Sequence, residues 1–168
     1  MFCDTKMWND FIVQFFSTIA GGIVLATIFF ILSDKIFKIS DLNGCWHFKF
    51  TTTQTAYKKY NSMELTYVVL IWMEGKNIHG TGEKIKEKTV GDKEVDYVGK
   101  DRIQIKISGY LTKRYILKDK ITIHIEEKGK ERDSFSIQIL KFKSNNLIGK
   151  LIATAADSEG DVIWTKQV

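Results

Sequence analysis

Residues 11–32, FIVQFFSTIAGGIVLATIFFIL, form a run of 22 residues without a single charge. At about 1.5 Å per residue, a helix of this length spans the ~30 Å hydrocarbon core of a bilayer. Gln14, Ser17, Thr18 and Thr27 are the only polar interruptions, so apolar side chains cover every face of the helix. A half-buried soluble helix would keep one polar face. Asp10 and Asp34 bracket the run, and Trp8 stands where an interfacial aromatic belongs. A secretory signal peptide has a shorter apolar core, about 7–15 residues, and a basic leading segment; here Asp4 and Asp10 oppose Lys6. A retained membrane anchor is therefore expected. Lys35 and Lys38 follow the run at once, and this asymmetry predicts a cytoplasmic C-terminal domain. Gly22 and Ala26, four apart, offer a small-xxx-small surface for another helix.

After Ser40 continuous apolarity gives way to alternation. Ile103, Ile105 and Ile107 alternate with polar residues, as do Ile121, Ile123 and Ile125, and Phe135, Ile137 and Ile139. A period of two means half-buried strands. Strands are predicted at 43–52, 63–74, 77–88, 101–111, 120–129, 132–142, 146–155 and 161–167, separated by Gly and Asx turn residues. Eight strands with short connections predict a mainly β fold, an antiparallel up-and-down, lipocalin-like barrel, with a two-sheet sandwich as the alternative. The longest loop, residues 89–100, is placed to act as a lid at a barrel mouth. Gly80 and Gly82, inside a strand pattern, predict a bulge or a bend. The expected organisation is a tail at 1–10, a transmembrane helix at 11–33, a joint at 34–42 and a barrel at 43–168.

The stretch Leu42-Asn43-Gly44-Cys45 also matches a lipobox in outline. Yet Cys45 lies 13 residues beyond Leu32, with Asp34, Lys35, Lys38 and Asp41 between. Read as a strand, Gly44, Trp46, Phe48 and Phe50 share one face, and Cys45, His47 and Lys49 the other. Trp46 then plugs one end of the barrel.

Catalytic patterns do not emerge. His47, His79 and His124 make no metal-ligand spacing, Cys3 and Cys45 stand apart, and no nucleophile elbow, Walker motif or paired carboxylates occur. No enzyme activity and no cofactor are expected. From Asp41 onward there are 22 Lys+Arg against 17 Asp+Glu, interspersed along the chain. That balance suits an anionic small ligand or a membrane surface and excludes a duplex nucleic acid partner. Arg102, Arg114 and Arg132 are the only arginines, and arginine grips phosphate in a bidentate fashion. Tyr110 and Tyr115 flank Arg114, ready to stack on a base, and His124 lies in a polar row with Thr122, beside Ser136 and Gln138 on the neighbouring strand. The candidate ligand-binding residues are thus Arg102, Tyr110, Arg114, Tyr115, His124 and Arg132; the competing reading makes them solvated strand faces and core aromatics.

One membrane segment, a short basic joint and a β-rich domain opening at Leu42-Asn43-Gly44-Cys45-Trp46 and ending with Gly160-Asp161-Val162-Ile163-Trp164 resemble the membrane effectors of bacterial anti-phage cyclic-nucleotide signalling (CBASS and relatives). The resemblance implies a barrel that senses a cyclic dinucleotide, a homo-oligomer in the inner membrane, and membrane disruption that kills the infected cell. Members of that family commonly carry two membrane segments, where this chain has one. Lipocalins place an arginine of the last strand over the G-x-W tryptophan; here the last strand offers Lys166. The rival reading is a membrane-anchored lipocalin-like carrier of a lipid or other apolar ligand, favoured by a cavity of Ile and Phe with no inward basic residue. A third is a membrane adaptor with a filled barrel and no ligand.

Overall fold

The computed structural model describes residues 4–32, 41–91, 94–114, 119–129 and 132–167; Tyr115 lies outside them. Two units are distinct, Met1–Ser40 and Asp41–Val168. The first contains helix α1, Asp4–Ile31. Its Lys6–Ile31 portion is long and apolar enough to cross a membrane, and none of its apolar window is buried. Thr18 and Thr27 turn their hydroxyls back onto the carbonyls of Gln14 and Ile23, at 2.9 and 2.8 Å, so two of the four polar interruptions are satisfied within the helix.

The second unit is a closed, eight-stranded antiparallel barrel. Its long strands are β1 Gly44–Gln54, β2 Glu64–Glu74, β3 Asn77–Lys88, β5 Ile103–Thr112, β6 Lys120–Lys128, β7 Asp133–Lys143, β8 Asn146–Ala153 and β9 Ser158–Lys166; β4, Val95–Asp96, is a two-residue addition to the edge of β3. Each long strand pairs with its neighbour in sequence, β3 with β5, and β1 with β9 closes the ring. Closure leaves no long unpaired edge. The expected strand positions hold to within a few residues.

The barrel has two unlike ends. The chain enters at Leu42, and this end is solid. Leu42, Trp46, Ile78, Ile121, Leu140, Leu147 and Trp164 are all at most 2% exposed. Trp46 Nε1 donates to the Leu42 carbonyl at 2.8 Å, fixing the entering chain across the barrel floor. Lys166 Nζ stands 5.8 Å from the centre of the Trp46 ring.

From the floor an aromatic column rises through the barrel. Trp46 meets Trp164 edge-on at 6.5 Å, Trp164 stacks on Phe48 at 4.5 Å, and Phe48 stacks on Tyr67 at 4.4 Å. Such pairs each add about 0.5–1.5 kcal/mol beyond area burial. Gln138, fully buried, accepts from Trp164 Nε1 at 2.8 Å.

Two local features depart from the periodic reading. On β7 the apolar row Phe135, Ile137 and Ile139 points outward, 54, 45 and 40% exposed, while Ser136 and Gln138 point inward. Leu140 and Phe142 share the parity of Ser136, and burying that pair decides which face goes in. The second feature is a bulge. Gly80 and Gly82 pair regularly with β2, and the register breaks further on: Tyr67 pairs with Lys84 but Thr66 with Lys86, leaving Ile85 as the extra residue. The glycines serve close approach instead; a Cβ on Gly82 would stand 2.4 Å from Val69 Cγ1.

Candidate functional site

Above the Phe48–Tyr67 layer the barrel is hollow. A cavity of about 220 Å³ opens at the end opposite to chain entry, between the β1–β2, β6–β7 and β8–β9 connections. Phe48, Phe50, Leu65, Ile125 and Leu151 form its apolar wall, and Tyr60, Arg132 and Ala156 lie at its rim.

Its polar side is a compact charged network. The bulge at Ile85 is what builds it. Along a regular strand Lys84 and Glu87 would face opposite ways; with one extra residue between, both face the interior. Glu127 reaches the same place by extending the inward row Ile121, Ile123, Ile125 of β6. Lys84 Nζ donates to Glu127 Oε1 at 3.2 Å and to Glu87 Oε2 at 3.3 Å. Tyr67 Oη donates to Glu127 Oε2 at 2.7 Å, and Tyr97 Oη to Glu87 Oε2 at 3.0 Å. Lys84 Nζ also lies 5.3 Å from the centre of the Tyr97 ring. Tyr97 comes from the loop expected to act as a lid, and its hydroxyl reaches Glu87 on the cavity wall.

Burial dominates the electrostatics here. It pushes the Tyr67 hydroxyl well above its usual value, and the Glu127 carboxylate pushes it further the same way. For Lys84 burial favours the neutral amine, but Glu127, Glu87 and Tyr97 together outweigh it and hold the ammonium. The Tyr97 hydroxyl is raised by burial and by Glu87, against an opposing pull from Lys84. Two carboxylates present roughly eight lone-pair sites. The four hydrogen bonds above leave acceptor capacity on the cavity wall.

The residues proposed from sequence fall mostly elsewhere. Arg132 borders the cavity mouth. Arg102 lies on the outside, donating to Glu83 Oε2 at 2.9 Å and to the Tyr97 carbonyl at 3.3 Å. Tyr110 and His124 are exposed on the outer wall, and Arg114 is exposed at the chain-entry end. Thr122 shares the outer face of His124, whereas Ser136 lines the cavity. Lys84, Glu87, Glu127, Tyr67 and Tyr97 were not foreseen. The inward rows ending in Lys84 and Glu127 were readable from alternation; Glu87 was hidden by the bulge. Among the described residues no group of three or more His, Cys, Asp or Glu is placed to hold a metal ion. No protein-family model, curated protein or solved structure matches the chain.

Proposed function

We propose that the protein is a membrane-anchored effector whose barrel binds a cyclic dinucleotide, and that occupancy of the barrel controls clustering and disruption of a bacterial inner membrane as an anti-phage response. The observation that carries this reading is the end-open cavity with Lys84, Glu87 and Glu127 on its wall. A carrier for apolar ligands calls for an interior without an inward basic residue, and Lys84 faces in.

The charge balance refines how such a ligand would sit. Lys84 is already held by two carboxylates, so the depth of the cavity does not attract phosphate. It suits instead the amino and imino donors of a nucleobase edge, with Tyr67 and Phe50 alongside the ring. At about 220 Å³ the cavity is smaller than the ~300–1,000 Å³ that swallows a drug-sized ligand. One base would enter while the sugar-phosphate ring stays at the mouth beside Arg132. The protruding part would form a new surface for a neighbouring copy. The outward apolar row of β7, joined by Ile152 and Ile163 on β8 and β9, supplies wall on which barrels would pack.

The test is thermal-shift and calorimetric titration of the barrel with cyclic dinucleotides, mononucleotides and fatty acids. A cyclic dinucleotide should raise the melting temperature of the wild type, less so for Arg132→Ala and not for Glu127→Gln. Absence of a shift with every cyclic nucleotide would sink the sensor reading, and a fatty-acid response would put the carrier in its place. In the full chain, removal of residues 1–32 should abolish toxicity and keep ligand binding.

A further inference from the structure

We infer that the chain-entry end of the barrel is a docking face for anionic lipid headgroups. The inference rests on the membrane-anchored reading above, because the chain arrives at this end from α1. Lys76, Arg114, Lys120, Lys141, Lys143 and Lys166 gather around the β2–β3, β5–β6 and β7–β8 connections and the end of β9. The acids described at this end are Asp41, Glu74 and Asp119. Asp119 is held by Lys113 at 3.8 Å and by the Arg114 amide at 3.2 Å, and Glu74 lies 3.9 Å from His79. The cavity end, by contrast, mixes both signs and pairs several of them: Lys86 with Glu94 at 2.9 Å and with Asp96 at 3.2 Å, Arg102 with Glu83 at 2.9 Å.

Two further observations point to the same occupant. Lys120 and Lys141 are directly opposed across β6 and β7. Like charges in that position destabilise a sheet, so the fold carries a local cost that an anionic partner would relieve. Trp72 and Tyr110, 41 and 47% exposed, stand near the same end. An amphipathic aromatic beside lysine is the composition of a bilayer interface, where each basic residue near an anionic leaflet strengthens binding about fivefold.

The barrel closes its sheet and buries its core without a residue from α1, so residues 41–168 can be assayed alone. It should co-sediment with phosphatidylcholine vesicles containing phosphatidylglycerol, not with pure phosphatidylcholine, and added salt should release it. Lys120→Glu, Lys141→Glu and Lys143→Glu together should weaken vesicle binding more than tenfold. The same charge change at the other end, Lys58→Glu, Lys59→Glu and Lys128→Glu, should leave it intact. Lys141→Gln alone should raise the melting temperature while lowering vesicle affinity, which separates a lost docking contact from a failure to fold. Equal loss in both triple variants, or no binding to anionic vesicles, would overturn the inference. A barrel that ignores vesicles but doubles its mass in light scattering would assign the face to a second copy. Carbonate extraction of the full chain reads the anchor separately, so failure of the anchor and failure of the docking face are distinguishable.

Discussion

Lys166 Nζ lies 5.8 Å from the centre of the Trp46 ring, closing the barrel floor from outside while the indole fills it from within. A cation over an indole contributes about 0.5–1 kcal/mol when partly exposed. Lys166→Ala should cost about that much in chemical denaturation, and Lys166→Arg should restore it. Trp46→Phe should cost more, because it orphans the Leu42 carbonyl and leaves a void.

Among the described residues Lys84 is the single cation between two inward carboxylates, and its side chain is only 9% exposed. Lys84→Met leaves both carboxylates without their counter-ion and should destabilise the barrel by about 3–5 kcal/mol. Adding Glu127→Gln should recover part of the loss. A double-mutant cycle on urea denaturation measures the coupling, and additive costs would mean that the pair does not interact.

Alkaline pH offers a test without mutation. Tyr67, Tyr97 and Lys84 all hold their protons more tightly in the folded barrel than in the unfolded chain. Groups with raised values bind more protons in the native state once the pH passes their ordinary values of about 10–10.5, so stability is kept below that range and falls above it. The melting temperature should therefore decline as pH rises past about 10. Absorbance at 295 nm should show Tyr67 ionising only with unfolding, and Tyr67→Phe should remove part of the alkaline decline.

Gln138 and Trp164 make a buried polar pair, and Gln138 Nε2 has no described partner. Gln138→Leu should cost about 1–3 kcal/mol by stranding the indole N–H. Combining it with Trp164→Phe should cost less than the sum of the two single changes, since both polar groups then leave together. Thermal melts of the four proteins decide this.

The barrel was legible because its strands alternate cleanly and their turns are short. The floor was legible as well: Trp46, Phe48 and Phe50 share parity with Gly44, and the chain had to start a strand there. Parity alone could not say which row of β7 goes inside, since Ser136 and Gln138 look like a solvent face until Leu140 and Phe142 are counted with them. The cavity network was obscured by Ile85, whose extra place in β3 shifts Glu87 to the interior. Arginine and tyrosine content pointed at Arg102, Tyr110 and Arg114, and a polar row at His124, but their parity and position set them on the outer wall or at the far end. Arg132 met the cavity because it lies in the connection that rims it.

The cavity opens at the end opposite to chain entry. If the basic end docks on a leaflet as inferred above, copies sharing that leaflet would present their mouths in the same direction. Two such mouths could then not face one another within one bilayer. Any assembly of copies so docked would then have its rotation axis along the membrane normal, and closed rings would be the symmetry open to it.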